Sequence, residues 1–349
     1  MTKLIAFDVE SCNGNPFNGS MCSFGYCLSD TDFNVAEQKD ILINPKPKGF
    51  NLGRWGEEPV LKLAYPEEAF RKSPRFYDVY AEIERLFSGD TLAVGFAISN
   101  DIRYLNNACD LYRLPHISFR YIDVQLLIKL KKLTRNDTGL AAAAAEYGVE
   151  IGEHHRSDED ARATLMLLKE YCRIEGRSVA EILGDRTVIA GVNTQKSVAP
   201  CLAPLFFDEN NGIPLTRKMK RILIDEYCKE VRSGKRDRDG KFKGKTLCLN
   251  SKLEDETDLA RKLIGAVLKR GGRYTTEAEN CNLFVQGDDT NCQRYGKVKK
   301  EIENGKRIDT VGVSELIDAL GGLPDVVFDD TATLCRIYGK PTDSYTLRK

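Results

Sequence analysis

The chain has 349 residues, more than one ordinary core absorbs, so two domains and a connector are expected. Hydrophobic residues make up 42% and charged residues 30%, which excludes a disordered protein, and a formal net charge of zero advertises no polyanion partner. No apolar run approaches the roughly 18–20 residues of a membrane span, and the first run meets Asp8 too early for a secretion signal, so a soluble cytoplasmic protein is expected.

Residues 3–9 are apolar and β-prone and read as a buried strand. Residues 21–28 and 35–44 read as two more strands, joined through the turn Ser29-Asp30-Thr31-Asp32. Helical spacing over 76–87 leads through Ser88-Gly89-Asp90 to a strand at 91–96. A helix over 100–112, a strand at 119–123 and a helix over 124–133 follow. The Ala-rich stretch 138–147 is helical and stops at Gly148, and 158–172 is helical with Ala161, Leu165 and Leu168 on one face. Three close strands followed by alternating helices and strands predict an α/β unit, a mixed sheet flanked by helices, over residues 1–178. Residues 179–240 read as a connector. Between Arg217 and Lys245 it carries 12 Lys/Arg against 5 Asp/Glu, a solvated face or a surface for a phosphate backbone. A second, small α/β domain is expected over 241–322, with strands at 245–249 and 281–285 and helices over 258–269, 297–303 and 313–320. Residues 323–349 read as a peripheral extension. Eleven cysteines with no CxxC pair read as free thiols rather than a zinc site.

Three places carry candidate chemistry. On a strand, residues two apart share a face, so Asp8 and Glu10 point together, and paired carboxylates attract Mg²⁺ or Mn²⁺. Read alone, the pair is also what a solvated strand end exposes. Asp101 opens a helix directly after a strand, where a carboxylate ordinarily serves as a cap. His154-His155-Arg156-Ser157-Asp158-Glu159-Asp160 holds two of only three histidines, with Asp160 in the first turn of the next helix; Asp158 and Glu159 suit that helix terminus. Together Asp8, Glu10, Asp101 and Asp160 supply four carboxylates from three segments, the donor set of two-metal phosphodiester hydrolysis, and His155 could take a proton from water near neutral pH.

The order Asp8-x-Glu10, Asp101, His155-x4-Asp160-Ala161 resembles the DEDDh exonucleases, the group of the proofreading epsilon subunit of DNA polymerase III, over roughly residues 3–175. Ser20-Met21-Cys22-Ser23-Phe24-Gly25 and Ile43-Asn44-Pro45 fall at matching places. The resemblance implies an RNase H-like fold, two divalent cations (Mg²⁺ or Mn²⁺), and a 3′→5′ exonuclease of DNA that releases nucleoside 5′-monophosphates. Ser11 is the implied contact to the terminal nucleotide. Two departures stand out: Phe96-Ala97-Ile98-Ser99-Asn100 replaces the usual residues before the metal-binding Asp101, and Ser157 stands where Ala is usual. A 3′→5′ exoribonuclease and a nucleic-acid- or protein-binding scaffold with an idle nuclease half are the alternatives.

Residues 242–322 resemble a BRCT domain in Gly244-Lys245-Thr246-Leu247-Cys248-Leu249, the Gly271-Gly272 helix end, Asn282-Leu283-Phe284-Val285-Gln286-Gly287-Asp288 and Lys297-Val298-Lys299-Lys300. Leu316 takes the place where Trp is common. The resemblance implies a protein partner, a phosphopeptide or a DNA end. Asn250-Ser251 replaces the Ser/Thr-Gly of phosphate-binding members, so no phosphate pocket is expected there.

Overall fold

The computed structural model describes residues 2–343 apart from 14–19, 53, 56, 57, 60, 61, 154 and 288–291, with the side chains of 53–61 and 343 also outside the description. His154 and Asp288 therefore lie outside the described residues. The chain divides into two units, residues 1–213 with 335–349, and residues 214–334.

The first unit opens with β1 (Lys3–Ser11), β2 (Met21–Ser29) and β3 (Val35–Leu42), an antiparallel meander. The short strands β4 (Arg54–Trp55) and β5 (Glu58–Pro59) form a separate ribbon. Helices α1 (Glu67–Lys72) and α2 (Phe76–Leu86) lead to β6 (Thr91–Gly95) and α3 (Ser99–Leu111). Next come β7 (Phe119–Asp123), α4 (Val124–Lys131), α5 (Leu140–Tyr147) and the long α6 (Ser157–Glu175). Gly148 ends α5 in the left-handed conformation, φ 68°, which a residue without Cβ adopts at no steric cost.

Helix α7 (Val179–Gly184) and strands β8 (Gly191–Asn193) and β9 (Ser197–Ala199) complete this unit, together with Thr342–Asp343, which pairs with β9. The sheet has eight strands in the order Thr342–Asp343, β9, β8, β7, β6, β1, β2, β3. Strands β1, β6 and β7 run parallel and the rest antiparallel, so the sheet is mixed, as the element order implies.

Alternation along β1 decides both cores. Ile5, Phe7 and Val9 face α2 and α3, where Phe24, Ile83, Ile102 and Leu105 join them. Leu4 and Ala6 face the other way, into a core with Val94, Ile122, Leu127, Ala161, Leu165 and Leu168. Each sheet face buries a full layer of large apolar side chains, worth about 1.5–3 kcal/mol apiece.

The stretch expected as a connector is divided between the units. Residues 191–199 add two strands to the large sheet, too short to show a period in sequence. Helix α8 (Arg217–Ser233) packs Ile224, Tyr227, Cys228 and Val231 into the core of the second unit and exposes Arg217, Lys218, Lys229 and Arg232, while Lys220 and Arg221 are half-buried. That unit holds β10 (Thr246–Leu249), α9 (Ser251–Asp255), α10 (Thr257–Lys269), β11 (Arg273–Tyr274), β12 (Leu283–Gln286), α11 (Gln293–Glu303), β13 (Asp309–Gly312) and α12 (Val313–Leu320). Its four strands are all parallel, in the order β11, β10, β12, β13. Helix α13 (Asp330–Tyr338) and the last strand show that residues 323–343 carry regular structure where a peripheral extension is expected. All eleven cysteines are free thiols, and no described helix is long and apolar enough to cross a membrane.

Candidate metal centre

The face of β1 that carries Leu4 and Ala6 carries Asp8 and Glu10 next, so one strand face changes from apolar to acidic toward its C-terminal end. Pairing with β6 stops at Ala6↔Val94, which leaves that side of β1 open beyond it. Helix α3 fills the gap: Asp101 Oδ1 accepts a hydrogen bond from the Val9 backbone N–H at 3.1 Å. The approach to α3 passes through Ala97 at φ 53°, held by a hydrogen bond from its N–H to Asp123 Oδ1 at 3.0 Å. Asp123 also caps α4 through the Gln125 N–H.

Asp160 arrives on α6. Strand pairing sets Gly25 opposite Asp8, and a Cβ built on Gly25 would lie 2.0 Å from the carbonyl carbon of Ser157. Only glycine lets the first turn of α6 rest directly on the sheet at this point. His155 sits in the turn before the helix at φ 69°, and its backbone N–H donates to Asp160 Oδ2 at 3.3 Å. Among the described residues, ligand atoms of Glu10, His155 and Asp160 lie within 4.8 Å of one another, close enough to hold one ion.

Electrostatics tie in the other two acids. Burial, then the charges of Asp160 and Asp40, push the Asp8 carboxyl up to about 8. Burial and the charges of Asp8, Asp160 and Asp40 push Glu10 up to about 9. Asp101 is held well above the usual carboxylate range by burial and by Asp8, with partial relief from the Val9 N–H. These groups repel one another in a half-dry site, and a doubly charged cation among them offsets that repulsion and favours their ionised forms. An all-oxygen set with one imidazole suits Mg²⁺ or Mn²⁺.

Ser11 lies elsewhere in the hydrogen-bond economy. Its hydroxyl donates to the Asn13 carbonyl and accepts from the Asn13 N–H at 3.2 Å, so it shapes the turn that leaves β1. Asp40 is the residue that the sequence does not single out. It is half-buried and forms a polar group with the buried Ser23 and Ser157, and nothing in a one-dimensional pattern brings β3 to the start of α6.

Residues 5–168 match the RNase_T exonuclease family model. The matched stretch is just under half of the chain. The DNA polymerase III PolC-type of Lacticaseibacillus paracasei is 25% identical to the chain over 228 residues, 64% of this chain and 15% of that polymerase. The chain thus spans about one seventh of that relative's length. Among solved structures, exonuclease I from Methylocaldum szegediense is 13% identical with a TM-score of 0.46, over 53% of this chain and 44% of that one. Exonuclease I of E. coli in complex with a dA16 oligonucleotide is 18% identical with a TM-score of 0.43, over 50% and 41%. The matched stretch includes all four acids, on β1, at the start of α3 and at the start of α6.

Proposed function

We propose that the first unit is a 3′→5′ exonuclease of DNA, with Asp8, Glu10, Asp101 and Asp160 as the holders of two divalent cations and His155 as the general base. The observation that carries the reading is the meeting of Glu10, His155 and Asp160 within 4.8 Å, beside two further acids that feel each other's charge. Bound there, divalent cations supply Lewis-acid stabilisation of charge on a phosphate and make a neighbouring water more acidic. Glu10 and Asp160 would orient the cations from β1 and α6, while Asp8 from β1 and Asp101 from α3 would complete the set. The His155 imidazole would accept the proton of the attacking water, and its backbone tie to Asp160 keeps base and ligand in one turn. The nucleotide at the chain end would rest near the Ser11 turn. The match to the exonuclease family and the DNA polymerase relative support hydrolysis of DNA. An RNase H-like class for the mixed sheet agrees with this reading.

For the second unit we propose a BRCT-like interaction module that binds a protein partner. Its support is the four-stranded parallel sheet with β10 second in the order.

The test is a panel of 5′-labelled DNA and RNA single strands with Mg²⁺, Mn²⁺ or EDTA. A ladder shortening from the 3′ end of DNA, with 5′-monophosphate products and only with metal, is expected. Faster loss of RNA would move the assignment to an exoribonuclease. Absence of metal-dependent shortening of either strand would leave the scaffold reading.

A further inference from the structure

Strand pairing places three residues in line across the sheet: Asp8 on β1, Gly25 on β2 and Asp40 on β3. Directly paired residues share a face, so Asp8 and Asp40 flank the bare position on which the first turn of α6 rests. Asp40 therefore flanks the start of that helix on the side away from Asp8.

The contacts bear this out. Ser157, the first residue of α6, donates from its hydroxyl to Asp40 Oδ1 at 2.9 Å. The Ser23 hydroxyl reaches the same carboxylate oxygen. Ser23 and Ser157 oxygens lie 2.6 Å apart, and both residues are fully buried. Two residues earlier on β3, on the same face, Gln38 Nε2 donates to Asp158 Oδ2 at 2.9 Å and to Glu159 Oε1 at 3.1 Å. The edge strand thus grips the helix start at residues 157, 158 and 159, and Asp160 is the next in line.

We propose that Asp40 is a positioning residue of the carboxylate centre: through Ser157 and Ser23 it fixes the first turn of α6 so that Asp160 and His155 meet Glu10, and its charge strengthens the field that draws a cation. Ser157 is explained by the same contact, because an alanine there would leave Asp40 one hydroxyl short in a dry site. The inference rests on the reading of this centre as a divalent-cation site.

Mn²⁺ binding to the full-length protein, followed by isothermal titration calorimetry, tests it without relying on turnover. Residues that support metal ligands change affinity by roughly 10–100-fold. Asp40→Asn, which keeps the shape and removes the charge, is expected to raise the Mn²⁺ dissociation constant within that range. Ser157→Ala, which keeps the charge, should raise it by a smaller factor. The KM for an oligonucleotide should stay within about twofold in both, since neither side chain meets the nucleotide. Wild-type affinity in Asp40→Asn overturns the proposal, even if its melting temperature falls, because a purely structural residue would move stability alone. If Asp40→Asn does not fold, unchanged Mn²⁺ affinity in Ser157→Ala overturns it instead. A wild-type protein that binds no Mn²⁺ would refute the cation site itself, a result separate from either variant's.

Discussion

The acidic centre of the first unit and the basic cavity of the second are like-charge clusters of opposite sign, and they are built differently. Asp8, Glu10 and Asp101 stand with Asp160 in a partly dry site, where burial and neighbouring carboxylates push the first three well above the usual carboxylate range. The second unit has a cavity of about 510 Å³ lined by Arg217, Ser251, Lys252, Arg294 and Lys297 among others. There the cations are answered locally: Arg294 lies 2.7 Å from Glu254, Arg217 lies 3.8 Å from Asp255, and Lys297 reaches solvent. A solvated basic cluster persists on its own because water and partner acids screen it. A buried acidic cluster is screened far less, and the cost of holding its charges together is its most informative property. The basic stretch seen in sequence was the louder signal, yet the quieter pair Asp8 and Glu10 is the costlier arrangement.

The contrast breaks first at its strongest point. Asp8→Ala or Asp101→Ala should lower metal-supported turnover by more than the roughly 10–100-fold that residues behind the ligands cost. Single-turnover rates with Mg²⁺ read this directly, and near-wild-type rates in both variants would remove the site assignment. His155→Ala should slow hydrolysis by about 10²–10⁴-fold, the range for loss of a general base. Its pH–rate profile should lose the limb near neutral pH; an unchanged profile points to another base.

Removal of metal sharpens the comparison further. Asp8 and Glu10 hold protons more tightly folded than unfolded, so their contribution to stability is complete below the ordinary carboxylate range, about pH 4. It is lost as pH rises through about 8 and 9. In EDTA, the melting temperature should therefore decline across that window, and Mg²⁺ should restore more of it at pH 9 than at pH 5. An Asp8→Asn, Glu10→Gln double variant should lose both trends. A Mg²⁺ effect that is independent of pH in the wild type would contradict the electrostatic account.

The smallest effect belongs to the second unit. Lys297→Ala should leave turnover of a short oligonucleotide unchanged. If the basic cavity holds a phosphate of a long single strand, the slope of log affinity against log salt becomes shallower by about 0.7. An unaltered slope assigns the cavity to something other than nucleic acid.

Much of this was legible from residue order. β1 declares itself by an unbroken apolar run, and α6 by Ala161, Leu165 and Leu168 recurring on one side. Their termini carry the acids, so a convergence of Glu10 with Asp160 follows once the two elements are stacked. What stayed hidden is instructive. Asp40 sits on an edge strand whose charged, alternating pattern reads as solvent-facing, and its partners Ser23 and Ser157 lie on the neighbouring strand and on a helix more than a hundred residues away. Strands β8, β9, β11 and β13 have two to four residues and show no period. Ala97 adopts a backbone conformation that sequence assigns to glycine or asparagine, and only the Asp123 carboxylate explains it.

The two residues Thr342 and Asp343 have a practical consequence. They cover the outer edge of β9, so the first unit takes its last strand from beyond the second unit, which is an insertion in the chain rather than an appendage. A shortened protein ending at residue 213 would present the bare rim of β9, open to pairing with another copy. Anyone preparing the nuclease half alone should splice residue 213 to residue 335 through a flexible bridge instead of placing a stop codon, and should expect the spliced form to be the better-behaved of the two in solution.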